Sequence, residues 1–418
     1  MLLIHHTSMV ITLAGGPQRG HQLGNLSSIP DGAVALEGET IREVGPASEL
    51  LKKYPQAEKL DARGNAVIPG FVDPHTHVIW AGDRAGEFEM RLQGKSYMEI
   101  MATGGGILAT VKATRQANLD QLVRESLART ELAFKYGTTT MEAKTGYGLD
   151  LETECKQLAA ILKINHQSAI ELVPTYLGAH AIPPEFKGDP QAYTNFLVEV
   201  ALPFIRSWWF ENAPGQALPF VDVFCEFGVF DLQQTRTILQ RAMQLGFPLK
   251  LHADEFENLG GASLAAELGA ASADHLVKTS AEDIRRLAQS HTVAVALPGT
   301  PFGLGQNEFP PARQILEADG YLALATDLNP GTIWNESMQF IQALACRYLR
   351  LSPAEALAGS TINAAAALNL ADKIGSLEAG KQADMLILRV PDYRHLAYRC
   401  GTNLVAATIK KGIVYPTA

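Results

Sequence analysis

Residues 66–77 read Ala66-Val67-Ile68-Pro69-Gly70-Phe71-Val72-Asp73-Pro74-His75-Thr76-His77. An apolar run of this length, closed by turn residues, reads as a buried parallel strand over Ala66 to Asp73. Its end is polar. In an extended segment residues two apart face the same side, so His75 and His77 can reach one metal ion together. The same pattern recurs along the chain at Thr138 to Ala143, Ile170 to Tyr176, Val221 to Glu226, Leu249 to His252, Ala271 to Asp274, Thr292 to Leu297 and Tyr321 to Asp327. With the first run these make eight strands, and helical stretches lie between them. Strands alternating with helices in this number predict a TIM-type (β/α)8 barrel. An open doubly wound sheet would gather its ligand at one switch point, whereas here polar residues close nearly every strand.

The intervening stretches carry helix punctuation. Asn118 can cap a helix through about Tyr136, with Leu119, Leu122, Val123 and Leu127 on one stripe and Gly137 ending it. Leu151, Cys155, Leu158, Ala159 and Leu162 make a second stripe, and Asp231 can start a helix ending near Gly246. Ser280 with Asp283, and Ser352 with Pro353 and Glu355, fit capping boxes.

The two ends read differently. Residues 1–66 hold short strand-like runs at Met9 to Leu13, Gly32 to Leu36 and Ile41 to Val44, punctuated by Gly, Pro and Asn. Residues 377–418 look alike, with runs at Asp384 to Val390, Leu404 to Ile409 and Ile413 to Tyr415. The expectation is one small composite β domain built from both ends (1–66 and 377–418), around a barrel at 67–376.

The chain has 418 residues, 47% hydrophobic and 19% charged, which is ordinary for a globular protein. A net charge of −9 without a Lys/Arg-rich run argues against nucleic-acid and anionic-membrane partners. Four cysteines (Cys155, Cys225, Cys346 and Cys400), far apart and without a CxxC pair, do not make a secreted disulfide framework. The opening stretch MLLIHHTSMVITL lacks a basic n-region and suits a first strand. These features together predict a cytoplasmic enzyme with reduced thiols.

A barrel enzyme keeps its chemistry at the C-terminal ends of its strands. There the sequence sets His75 and His77, then His252, then His275, then Asp327. Each alone has a bland reading: a histidine pair is as readily a hydrogen-bonding pair, a single histidine an ordinary buried one, and Asp327 the start of a turn at Asn329-Pro330-Gly331. Their shared position at one end of successive strands favours a single metal held by His75, His77, His252 and Asp327. Imidazoles with a carboxylate suit zinc or ferrous iron and leave room for a water. Glu255, three residues past His252, can relay protons, and His275 can donate to a substrate oxygen. Arg84, Tyr147 and His180 follow strands one, two and three, where each can be a substrate contact or a structural residue. The fourth strand, Val221 to Glu226, has no lysine to carry a bridging carbamate, and Lys144 lies after the second strand; this favours one metal over two, with Glu226 as the only candidate bridge. Gly104-Gly105-Gly106 lacks the Lys-Ser/Thr of a P-loop and reads as a loop before a helix starting at Ile107. Trp208-Trp209 reads as packing.

Pro69 through His77 resembles the strand-one signature of the amidohydrolase superfamily, and Gly375-Ser376-Leu377-Glu378-Ala379-Gly380-Lys381-Gln382-Ala383-Asp384 resembles its return into the small β domain. Within the superfamily the chain resembles the imidazolonepropionase family. The carrying stretches are Ala81-Gly82-Asp83-Arg84 with Glu87-Phe88, Gly104 to Ile107 running on to Ala113-Thr114-Arg115, Lys144 to Leu149, His252 to Phe256, Ala273 to Leu276 and Asp327 to Thr332. They span nearly the whole barrel; Thr145 stands where Ser is expected. The resemblance implies hydrolysis of the cyclic amide 4-imidazolone-5-propanoate to N-formimidoyl-L-glutamate in histidine degradation. It implies metal ligands at His75, His77, His252 and Asp327, and substrate contacts at Arg84, Tyr147, His180, Glu255, Asn329, Gly331 and Thr332. It also implies a homodimer.

On this reading Arg84 forks onto the substrate's propionate, and metal-activated water attacks the ring carbonyl. Asp327 and Glu255 share the proton transfers in either order, while His275 and the metal stabilise the oxyanion. The rival reading is a purine or pyrimidine deaminase of the same superfamily, against which Arg84 and the Asn329 to Thr332 loop argue. A catalytically dead barrel is disfavoured because every ligand position is kept.

Overall fold

The computed structural model describes residues 1–95, 99 and 105–417. Gly104, the first glycine of the run noted above, lies outside the described residues. Eight parallel strands form a nearly closed barrel in chain order: Phe71–Asp73, Thr138–Lys144, Glu171–Ala179, Phe220–Cys225, Lys250–Ala253, Ser272–His275, Val293–Ala296 and Leu322–Leu324. They are numbered barrel strands one to eight below. A second sheet joins Leu2–Ile11, Ser28–Pro30, Gly32–Glu37, Thr40–Pro46 and Glu58–Pro69 to Met385–Leu388, Val405–Lys410 and Ile413–Pro416. Both chain ends therefore build one sheet, as expected.

The run at 66–73 divides between the two sheets. Its first half continues Glu58–Pro69, where Pro69 pairs with Met385, and only Phe71–Asp73 enters the barrel. Gly70 is the joint: a Cβ there would stand 2.5 Å from the Thr139 side chain, so only glycine lets the first strand cross this close to the second.

The helix signals are realised locally. Asn118 accepts the Gln121 N–H and starts Leu119–Lys135, and Gly137 follows with φ of 100°. Asp231 with Gln234, and Ser352 with Glu355, form reciprocal capping boxes. Ser280 caps Ala281–Ala288 by accepting the Asp283 N–H, but the Asp283 carboxylate turns to the Ser280, Ser263 and Asn258 side chains rather than back to the backbone. Ile107–Gln116 begins where expected. Trp209 is fully buried and donates to Ala217 O at 2.9 Å, a packing residue.

Strands one and eight share no ladder; Val72 donates instead to Ser360 O at 3.0 Å. Among the described residues the seam is joined at and just beyond the strand ends, by Thr326, which donates its N–H (3.1 Å) and hydroxyl to the Asp73 carboxylate, by Asp327 N–H to His75 O (3.1 Å) and by His77 N–H to Leu328 O (2.9 Å). The residues that finish the barrel are thus the predicted metal ligands and their neighbours. No helix among the described residues is long and apolar enough to cross a membrane.

Candidate active site

The strand ends bring the predicted residues together. Nε2 of His75 and of His77 stand 3.6 and 3.7 Å from Asp327 Oδ1, and Nε2 of His77 stands 3.4 Å from Nε2 of His252. All four residues are buried. Two are oriented from behind: His75 Nδ1 donates to Asp274 Oδ2 at 2.6 Å, and His252 Nδ1 lies 2.9 Å from Asp222 Oδ2. A carboxylate can only accept, so the His75 proton sits on Nδ1 and Nε2 keeps its lone pair. That Nε2 is buried with no hydrogen-bond partner. An unpaired buried acceptor costs about 1–3 kcal/mol, a cost that a cation in this place removes. Burial, and then Lys144, hold His75 well below the usual histidine range; burial and His180 do the same for His77. Neutral imidazoles facing a carboxylate are the donor set of a divalent metal, and the residues present fit one.

Asp222 and Asp274 are in turn balanced by two buried lysines. Lys144 Nζ stands 2.7 Å from Asp222 and 2.9 Å from Glu142, while Lys250 Nζ stands 3.7 Å from Asp274 and donates to Pro74 O. Lys144 is the last residue of strand two and is wholly engaged in these ion pairs. Glu226 does not join the ligand atoms; it accepts the N–H groups of Phe256, Glu257 and Phe227 and so secures the loop that carries Glu255. The sequence reading missed the Glu142, Asp222, Asp274, Lys144 and Lys250 layer. The signal was present: charges in otherwise apolar strands, as in Val221-Asp222-Val223 and Ala273-Asp274-His275.

Above the histidines lies a cavity of about 240 Å³ lined by Arg84, Tyr147, His180, Glu255, His275, Asn329, Gly331 and Thr332, together with His77, His252 and Asp327. Every expected substrate contact is here. The His275 and Asp327 backbones are left-handed (φ of 77° and 54°), a conformation uncommon outside glycine, which Asp and His adopt more readily than most residues and which clusters at functional sites. Nε2 of His275 faces Glu255 Oε2 at 3.6 Å. His275 also lies within ligand distance of His75 and His252. Burial first, then Asp327 and Glu226, push the Glu255 carboxyl well above its usual range. Thr300 donates to Asp327 Oδ2, and burial lifts the Asp327 carboxyl to about 6 against that bond.

Arg84 is partly engaged already. Its Nε and one Nη donate to Glu87 Oε2 at 2.9 and 2.8 Å, while Glu87 Oε1 takes the Gly106 N–H at 3.1 Å. What remains for a ligand is the guanidinium's outer edge, not the Nε edge. Gly331 borders it: a Cβ there would lie 2.2 Å from Arg84 Nη1. Asn329 shapes the same loop, accepting the N–H groups of Gly331 and Thr332, each at 2.8 Å.

The geometry agrees with what the chain is similar to. The imidazolonepropionase of Herpetosiphon aurantiacus is 50% identical over 412 residues, covering 99% of this chain and 96% of the relative. The chain belongs to the imidazolonepropionase family. The imidazolonepropionases of Chloroflexus aggregans (48% over 420 residues, 100% of this chain and 98% of the relative) and Symbiobacterium thermophilum (49% over 414 residues, 98% and 96%) agree. Residues 32–57 match the bacterial imidazolonepropionase-like composite domain, and residues 236–414 match the amidohydrolase family. A member of the imidazolonepropionase family is a hydrolase of the amidohydrolase superfamily, acts on a small molecule and holds a divalent metal. Solved structures share the fold at low identity. Escherichia coli guanine deaminase is 16% identical with a TM-score of 0.72 over 100% of both chains. The atrazine chlorohydrolase of Arthrobacter aurescens TC1, complexed with zinc, is 17% identical with a TM-score of 0.70 over 99% of this chain and 95% of that one. The likeness to a deaminase is one of fold, and the deaminase reading is not favoured.

Proposed function

We propose that the enzyme opens 4-imidazolone-5-propanoate to N-formimidoyl-L-glutamate in histidine degradation, using one zinc or ferrous ion held by His75, His77, His252 and Asp327. The observation that carries the metal site is the buried, unpartnered Nε2 of His75 facing Asp327. The observation that carries the substrate is an arginine with one free edge above those ligands, a partner for the propionate of a cyclic amide. When bound, a divalent metal lowers the pKa of its water from about 15.7 to roughly 7 and polarises a carbonyl oxygen.

The protein's own groups do the rest. Arg84 anchors the propionate through its outer Nη edge, and Asn329, Gly331 and Thr332 wall that end of the cavity. Tyr147 and His180 border the ring. Asp327 takes a proton from the attacking water; a bound cation keeps it a weak base, which suits brief proton storage. Glu255, with its carboxyl pushed up by burial, carries a proton to the leaving ring nitrogen. His275 donates to the carbonyl oxygen, which gains charge as water attacks and gives it up as the ring opens. We place the enzyme in the cytoplasm as a homodimer.

The test is ultraviolet loss of imidazolonepropionate by purified protein, with and without chelator, alongside metal analysis. Chelator-sensitive loss at about one ion per chain is expected. No loss in metal-replete protein rejects the substrate.

A further inference from the structure

The loop joining barrel strand two to the helix Leu151–Gln167 is folded around a carboxylate. Glu154, 1% exposed, accepts the N–H of Gly146 at 3.0 Å, of Gly148 at 2.8 Å and of Leu149 at 2.8 Å. The loop's two glycines fit it closely. A Cβ on Gly148 would stand 2.8 Å from Glu154 Oε1, and one on Gly146 (φ of 101°) would stand 2.9 Å from His180 Nδ1. Tyr147, between them, lines the cavity.

The same loop decides where the His180 proton sits. His180 Nδ1 is 3.0 Å from the carbonyl oxygen of Gly146. A carbonyl only accepts, so Nδ1 carries the hydrogen and, in a neutral ring, Nε2 is left with a lone pair. His180 lines the cavity and stacks on His77, with ring centroids 4.9 Å apart and planes at 15°. Nothing in the pattern His180-Ala181-Ile182 or in the position of Glu154 on its helix gives this link away; it appears only when the loop is closed.

We propose that Glu154 is a positioning residue of this site: by gripping the Thr145 to Leu149 loop it sets Tyr147 and, through the Gly146 carbonyl, holds His180 in the tautomer whose Nε2 accepts, so the site selects a ring that presents an N–H to His180. The choice of ring rests on the substrate reading above, since an imidazolone carries such an N–H. A site whose acceptor is fixed rejects an isostere lacking the donor, because lone pair then faces lone pair. Glu154→Gln can leave its amide oxygen on Gly148 and Leu149, but then sets an NH2 against the Gly146 N–H that Oε2 accepts, so the Gly146 corner whose carbonyl holds His180 must give way.

The experiment is nitrogen-15 NMR of histidine-labelled, zinc-loaded enzyme, with the His180 signals assigned by their loss in His180→Gln. Wild type is expected to show protonated Nδ1 and bare Nε2. Glu154→Gln is expected to mix the tautomers and raise KM about tenfold, with kcat and metal content kept within about twofold. Its preference for the imidazolone over a ring N-methylated analogue should shrink in parallel. Protonated Nε2 in wild type, or an unchanged tautomer and KM in Glu154→Gln, overturns the proposal. If Glu154→Gln does not fold, the wild-type tautomer and Gly148→Ala, whose Cβ presses on Glu154 Oε1, decide it by the same readouts. Failure of wild type to turn over the imidazolone removes the substrate reading alone, and the His180 tautomer still decides the positioning role.

Discussion

Asp327 meets His75 twice: its backbone N–H donates to His75 O at 3.1 Å, and its carboxylate Oδ1 stands 3.6 Å from His75 Nε2. One contact closes the barrel and the other completes the donor set. Asp327→Asn separates them, because it keeps the backbone bond and loses the charge. We expect the variant to fold with an unchanged near-ultraviolet circular dichroism spectrum, to lose metal on dialysis and to fall at least about 10²-fold in kcat. Metal retained at wild-type stoichiometry would exclude Asp327 as a ligand.

The carboxylates behind the histidines should matter almost as much. Asp274→Asn removes the charge that fixes the His75 tautomer and leaves Lys250 short of a partner. Metal affinity should drop roughly 10–100-fold, read by competition with a chelator of known affinity. Unaltered affinity would mean that Asp274 serves the fold only.

Glu255→Gln tests proton transfer. Its carboxyl is raised, so it holds a proton to higher pH than a surface glutamate does. A donor in this role loses its proton, and the enzyme its rate, as pH climbs through that raised value. The variant should fall about 10²–10⁴-fold in kcat and lose this alkaline limb, with KM little changed. A pH–rate profile superimposable on wild type removes Glu255 from the chemistry.

Gly331→Ala tests the anionic end of the cavity. The added Cβ overlaps Arg84 Nη1 and forces the guanidinium off its seat on Glu87. KM should rise about tenfold or more while metal content stays at wild type, which steady-state kinetics with parallel metal analysis would read. An unchanged KM would show that Arg84 does not hold the substrate.

Acid stability should report on the contact between barrel and end sheet. Burial pushes the Glu171 carboxyl up, but Lys410, Lys373 and Lys411 outweigh it and hold the group at about 2 against an ordinary 4.5. A carboxyl lowered in the folded state stabilises fully above its unfolded value, and the gain is lost as pH falls from about 4.5 towards 2. Glu171→Gln should cost on the order of 2 kcal/mol at neutral pH and flatten that acid limb, measured by thermal melts across pH. Equal melting curves at pH 7 would refute this.

The barrel was legible because its strands are short apolar runs with polar ends, a pattern that survives without any knowledge of pairing. His75 and His77 were legible for the same reason, since period two alone puts them on one side. The split of 66–73 at Gly70 was not, because the run stays apolar across the point where it changes sheets. Glu154 and Glu87 were hidden for another cause. An acidic residue in the first turn of a helix is expected from the helix dipole, so nothing marked these two as holding a loop or an arginine. The charged layer of Glu142, Asp222, Asp274, Lys144 and Lys250 draws its members from four different strands, and only closure of the barrel makes them neighbours.

The seam between the first and last strands also sets a timetable. His75 leaves the ribosome early and Asp327 some 250 residues later, so the nascent chain carries an unfinished ring whose loose edge strand is open to pairing with other chains. A divalent ion that binds only when both edges have met would act as a latch on the completed barrel. Limited metal supply during synthesis would then show itself first as aggregated protein, before any shortfall in specific activity of the soluble enzyme.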